Sequence, residues 1–166
     1  MKNRAYKNYI FDFYGTLVDI LTDEKDPVLW DTLGQLYQAY GAAYEGDALK
    51  KAYAKHVDQA RKELIELKGV VYPEIDLAYI FNQLYVDARP QSSNSNQPDD
   101  WGNLIAMVFR VLSRKHLTAY PHTKEVLAFL KEQGCRLYLL SNAQAAFTNA
   151  EIDLMELRAY FDAIYL

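Results

Sequence analysis

From Pro121 to Leu166 the chain alternates helical and strand patterns, and this alternation constrains the fold more than any other feature. Apolar residues at helical spacing follow Pro121 and stop at Gly134, a residue typical of helix ends. The apolar run 136–140 then indicates a buried strand. A second helical pattern over about 145–160 precedes another short apolar run, 163–166. Helices alternating with buried strands form right-handed βαβ units, so we predict an α/β fold with a parallel sheet.

The first strand and the remaining sheet are separated by about 100 mainly helical residues. The apolar, aromatic run 9–11 precedes a turn with a glycine, which predicts a buried strand. The first predicted helix has Asp26 as its N-cap and extends to about Tyr44, and the second starts at Gly46 and ends just before Gly69. Two more run from about Glu74 to Asp87 and from Trp101 to about His116, with a polar loop at 88–100. We therefore predict a three-layer core from residues 1–18 and 119–166, with an inserted helical cap at 19–118.

Charge and composition exclude several kinds of partner. The net charge of −4 and the absence of a basic cluster are atypical of nucleic-acid binding. The N-terminal residues are too polar for a signal peptide, and no run of about 18 apolar residues predicts a membrane span. Cys135 is the single cysteine, so neither a disulfide framework nor a cysteine metal cluster is expected. We expect a cytoplasmic protein with a small-molecule substrate, and no nucleic-acid or membrane partner.

Polar residues follow two of the predicted strands. Asp12 comes directly after the first strand and Ser141 after the second. Ligand sites in open parallel sheets form at the carboxyl ends of the strands, where a carboxylate can act as a nucleophile. Gly15 allows a sharp turn, and Thr16 can bind a neighbouring oxygen. Ser141 and Asn142 offer hydroxyl and amide donors to an anionic group.

Two runs resemble the motifs of the haloacid dehalogenase-like hydrolases. YIFDFYGTLVD is similar to the first motif, a strand that ends in Asp-x-x-x-Thr, and LYLLSNA is similar to the second, a strand that ends in Ser or Thr. The segment between them fits the subgroup with a helical cap. The resemblance implies that Asp12 attacks the substrate to give a covalent aspartyl species. It also implies that Tyr14, Thr16, Ser141 and Asn142 belong to the catalytic set. Phe13 and Gly15, together with Ser141 and Asn142, are then expected to bind the substrate.

The resemblance leaves the substrate open. A small phosphate monoester is the first choice, with Mg²⁺ bound by Asp12 and by the backbone carbonyl of Tyr14. Most phosphatases of the family, however, have an Asp where this chain has Tyr14, and a phenol is a poorer proton shuttle at neutral pH. Tyrosine there resembles the 2-haloacid dehalogenases, which would need no metal and use a cap arginine, with candidates Arg61, Arg89 and Arg110.

A third alternative is a truncated, non-catalytic remnant or binding module. The family has a basic and an acidic motif downstream of the third strand, whereas Arg158 is the only basic residue after Asn142. The sheet is then expected to be incomplete, with the strand at 9–11 open to self-association. The acidic side chains Glu151, Asp153 and Glu156 are expected on a solvated helix face.

Overall fold

The structure is a computed structural model that describes residues 6–89 and 98–166. It divides into two compact units, Met1–Thr22 with Arg114–Leu166, and Asp23–Ser113. In chain order the elements are β1 (Asn8–Phe11), β2 (Val18–Thr22), α1 (Pro27–Ala39), α2 (Gly46–Lys68), α3 (Leu77–Ala88), α4 (Trp101–Ser113), β3 (Arg114–Ala119), α5 (Thr123–Glu132), β4 (Arg136–Leu140), α6 (Ala145–Leu154) and β5 (Ala163–Tyr165), with a 3₁₀ turn at Arg158–Tyr160.

The first unit has a parallel sheet with the strand order β1-β4-β5. Phe11 lies opposite Leu139, which in turn lies opposite Ile164, so the three strands end at one edge. The connections run through α5 and α6, as expected for βαβ units. The α/β class with a parallel sheet and an inserted helical segment is confirmed.

A two-stranded antiparallel ribbon was not predicted from the sequence. β2 pairs with β3, with Val18 opposite Ala119 and Leu21 opposite His116. The prediction of a helix to about His116 is therefore wrong, because α4 ends at Ser113 and the chain continues directly as a strand. The chain passes from one unit to the other at residues 22–23 and 113–114. These boundaries lie a few residues from the predicted cap limits, because both ribbon strands belong to the first unit.

The core of the first unit is built from alternate residues of β4 and from the apolar faces of its helices. Leu137 and Leu139 of β4 are fully buried, whereas Arg136 and Leu140 at its ends are exposed. Side chains of the turn after β1, of both helices and of the segment after α6 pack in the same cluster: Phe13, Leu17, Leu127, Leu130, Ile152 and Leu157. The helix predicted over 145–160 is shorter than expected, since Glu156 adopts a φ of 57° and a separate 3₁₀ turn follows.

The second unit consists of α1 to α4 around an aromatic core. The Asp26 side chain caps α1 by accepting the Val28 N–H at 2.9 Å, and Gly69 ends α2 in the left-handed region, both as predicted. α1 ends at Ala39, before the predicted Tyr44. Most of the predicted loop at 88–100 lies outside the described residues. None of the described helices is both long enough and apolar enough to cross a bilayer.

Strand β1 is at one edge of the sheet that the described residues form. Ile10, in the middle of this strand, is 67% exposed. An apolar side chain on an open strand edge is a feature that favours pairing with another chain. Self-association through β1 stays a prediction.

Candidate active site

The carboxyl ends of β1 and β4 are neighbours, and the residues that follow them line one cavity. The parallel register places Phe11 beside Leu139, so both strands end at the same edge of the sheet. The cavity has a volume of about 430 Å³ and is lined by Asp12, Tyr14, Leu140, Ser141, Asn142 and Ala143. Asp12, Tyr14, Ser141 and Asn142, all predicted from the sequence, are thus brought together.

A tight turn after Asp12 holds the first part of the site. The Phe13 carbonyl accepts the N–H groups of Leu17 at 2.9 Å and Val18 at 3.1 Å, and the Gly15 N–H donates to the Val18 carbonyl at 2.8 Å. Gly15 has a φ of 73°, a conformation that glycine adopts without the steric cost of a Cβ atom. The turn therefore places Asp12 and Tyr14 in the cavity wall while Phe13 points into the core.

The Asp12 carboxylate is exposed and oriented. Its Oδ1 atom accepts the backbone N–H of Phe13 at 2.7 Å. Within the described part of the chain, no hydrogen-bond donor reaches Oδ2. An exposed carboxylate with one oxygen held by the backbone is suited to attack an electrophile in the cavity.

The Tyr14 hydroxyl is hydrogen-bonded to a buried polar cluster that was not predicted from the sequence. Its hydroxyl donates to Glu151 Oε2 and lies 3.2 Å from Thr148 Oγ1, both on α6. Arg114 Nη1 donates to Glu151 Oε1 at 2.9 Å. The expectation that Glu151 belongs to a solvated face is wrong, because this residue is only 2% exposed.

The burial of Glu151 could have been predicted from the helical spacing of α6. Glu151 lies four positions after Phe147 and next to Ile152, both buried, so it shares the apolar face of α6. Asp153 and Glu156 are on the exposed side, as predicted, where they pair with Arg158 and Lys124 respectively.

Ser141 and Asn142 form the other wall. Ser141 is buried and its backbone N–H donates to the Tyr165 carbonyl at 3.1 Å, which fixes the end of β4 beside β5. Asn142 is exposed, and α6 begins shortly afterwards, with Gln144 as its N-cap. The first N–H groups of a helix have no partners within the helix and carry partial positive charge. This wall therefore favours an anionic group.

Two residues predicted for the site are directed elsewhere. Thr16 belongs to the lining of a separate cavity of about 210 Å³, together with Tyr120, His122 and Val126. The Phe13 side chain is fully buried, and its N–H is bonded to Asp12. The three arginines considered as halide ligands, Arg61, Arg89 and Arg110, belong to the helical unit.

The donors for a metal ion are few. Mg²⁺ takes oxygen ligands, typically one or two carboxylates together with water and substrate phosphate oxygens. Asp12 supplies the one carboxylate of the cavity lining, and Tyr14 contributes a backbone carbonyl on the same turn. Across residues 6–89 and 98–166, no three His, Cys, Asp or Glu side chains are grouped to hold a metal ion. These donors fit Mg²⁺ only with water and a substrate phosphate completing its shell.

A protein-family model described as haloacid dehalogenase-like hydrolase matches residues 6–166. No curated protein matches the chain. Among solved structures, L-2-haloacid dehalogenase from Xanthobacter autotrophicus is 17% identical with a TM-score of 0.41, and 96% of this chain covers 56% of that one. A predicted phosphoglycolate phosphatase from Haemophilus somnus is also 17% identical, with a TM-score of 0.40 and coverages of 96% and 62%. The chain spans less than two thirds of either protein.

Proposed function

The chain belongs to the haloacid dehalogenase-like hydrolases, and from this premise we propose that Asp12 attacks a small anionic substrate and forms a covalent aspartyl intermediate. One observation carries the proposal: the exposed, oriented carboxylate of Asp12 lies in the same cavity as Ser141 and Asn142. A nucleophile facing donors that can bind an anion is the arrangement that group transfer through a covalent intermediate needs.

The proposed substrate is a small phosphate monoester. Oδ2 of Asp12 attacks phosphorus, and the bond from phosphorus to the ester oxygen breaks with its electron pair on the leaving group. Water then attacks the phosphorus of the aspartyl phosphate, which releases inorganic phosphate and a proton and restores the carboxylate. Both steps transfer one phosphoryl group, first to Asp12 and then to water.

The other residues of the cavity orient the group that is transferred. The Ser141 hydroxyl and the Asn142 amide are suited to donate to phosphate oxygens, and the N-terminus of α6 adds favourable partial charge. Mg²⁺, if bound by Asp12 and the Tyr14 carbonyl, would neutralise part of the phosphate charge. The family model and the cavity support this proposal without naming the natural substrate.

A 2-haloacid is the second candidate, and it is favoured by Tyr14. Displacement of a halide needs no proton for the leaving group, and the Tyr14 hydroxyl donates to Glu151. In that reaction Asp12 attacks the carbon that bears the halogen, and the halide leaves with the bonding electrons. Water then hydrolyses the aspartyl ester to give a 2-hydroxy acid and a proton. The Ser141 wall would bind the carboxylate of this substrate.

Parallel assays separate the candidates. Phosphate release from 4-nitrophenyl phosphate with Mg²⁺ tests the first, and chloride release from 2-chloropropionate tests the second. We expect Asp12→Asn to abolish the activity, because an amide is nearly isosteric but is no nucleophile. Asp19→Asn, an exposed Asp on β2, is the matched control and should retain the rate.

Two outcomes would contradict the proposal. Full turnover by Asp12→Asn would remove Asp12 as nucleophile. No turnover of either substrate, by a folded chain that still binds phosphate or vanadate, would favour a binding module.

A further inference from the structure

Behind the cavity wall, three polar side chains from separate elements are joined by hydrogen bonds. Tyr14 comes from the turn after β1, Arg114 from the first position of β3, and Glu151 from the middle of α6. The Glu151 side chain is 3% exposed and that of Arg114 is 23% exposed. A carboxylate so deeply buried is retained at a high desolvation cost, and it needs partners on both oxygens.

The two oxygens of Glu151 have different partners. Oε1 accepts from Arg114 Nη1 at 2.9 Å, and Oε2 accepts the hydroxyl proton of Tyr14. The guanidinium compensates the buried charge, so the carboxylate is available as a strong, charged acceptor for the phenol. A phenol has one hydroxyl proton, and here it is directed along the bond to Glu151, toward α6.

We propose that Arg114 and Glu151 are positioning residues that hold the Tyr14 phenol as a donor to Glu151 and withhold its proton from the cavity. This inference rests on the proposed hydrolysis through Asp12. With the Tyr14 proton withheld, the cavity lining that the described residues form has no acidic donor for the leaving group. Such a lining favours substrates whose leaving group departs as a stable anion. The substrate class is then an aryl or acyl phosphate, whose leaving group takes the bonding electrons and accepts no proton from the enzyme.

The hydrogen bond is tested first, without any assay of turnover. A phenol proton bonded to a buried carboxylate exchanges slowly with water and gives a downfield proton NMR signal. We expect such a signal in the 166-residue chain, and we expect it to disappear in Tyr14→Phe and to move upfield in Glu151→Gln, where the acceptor is neutral. Tyr160→Phe, a half-buried tyrosine of the same unit, should leave it unchanged. No signal assignable to Tyr14 in the folded chain would overturn the proposal.

The leaving-group restriction is tested with two aryl phosphates. Tyr14→Phe keeps the Arg114–Glu151 pair, so it is the variant least prone to misfolding. If the phenol is not an acid, any change in kcat/KM should be the same for both substrates, so the ratio of 4-nitrophenyl to phenyl phosphate rates should stay within about threefold of the wild-type ratio. A loss of about 100-fold for phenyl phosphate alone would show that Tyr14 protonates the leaving group, which overturns the inference.

The NMR measurement and the leaving-group assay together distinguish a failure of this inference from a failure of the proposed function. A Tyr14 proton signal with unchanged leaving-group dependence supports both. A Tyr14 proton signal in a chain that hydrolyses neither phosphate would contradict the proposed hydrolysis and the restriction that rests on it, while the positioning of the phenol would stand.

Discussion

Removal of the Glu151 side chain should destabilise the protein strongly, and a double-mutant cycle can measure how much of this effect comes from Arg114. Glu151→Leu leaves a guanidinium that is about three quarters buried without its carboxylate, and it removes the acceptor of the Tyr14 hydroxyl. Breaking one side of a buried ion pair typically costs 3–5 kcal/mol. Because the Arg114 side chain is partly exposed, we expect a loss of stability at the lower end of this range, about 3 kcal/mol.

The double variant Arg114→Met with Glu151→Leu should recover most of this loss. Replacing both charges with apolar side chains of similar volume is often neutral, so we expect it within about 1 kcal/mol of the wild type. Urea unfolding followed by circular dichroism at neutral pH gives each free energy. Glu156→Gln, which removes the exposed ion pair with Lys124, is the control and should change the urea midpoint little, because surface ion pairs contribute little to stability. A cost below about 1 kcal/mol for Glu151→Leu, or additive single effects, would refute the reasoning.

Three further changes test other parts of the structure. Tyr14→Asp should raise kcat/KM for an alkyl phosphate by placing a carboxyl acid near the leaving group, and no gain in phosphate release would contradict this. The Leu137 N–H lowers the pKa of Asp162, so stabilisation by this carboxylate is present above about pH 4 and lost as the pH falls through its folded pKa. Asp162→Asn should therefore reduce the fall in Tm on acidification, and an unchanged fall would count against the assigned role. A Cβ on Gly102 would lie 2.1 Å from the Ala78 carbonyl oxygen. Gly102→Ala should lower stability by about 1–3 kcal/mol, despite a helix-propensity gain of about 1 kcal/mol, and a higher urea midpoint would contradict this.

Features set by local interactions were predictable from the sequence. Asp26 caps α1 and Gly69 ends α2 because a side-chain acceptor and a left-handed φ act within a few residues. The β2–β3 ribbon was missed because β3 follows α4 without a loop, so the helical pattern runs directly into the strand. Pairing between strands so distant in sequence depends on tertiary contacts that no short window contains.

In the candidate site, too, some features were predictable from the sequence and others were not. The proximity of Asp12 and Ser141 followed from parallel strands that end at one edge. The burial of Glu151 depended on which face of α6 packs against the core, and its partner Arg114 is distant in sequence. The cavity that Thr16 lines depends on contacts with residues near Tyr120, which are distant in sequence.

The central claim, that Asp12 carries the transferred group, is tested most directly by trapping the intermediate. The chain is mixed with 4-nitrophenyl phosphate, quenched in acid within the first turnover and mapped by peptide mass spectrometry. One added phosphoryl group is expected on Asp12, lost on longer incubation and absent in Asp12→Asn. Turnover with an unmodified Asp12, or a phosphoryl group on Ser141 instead, would contradict it.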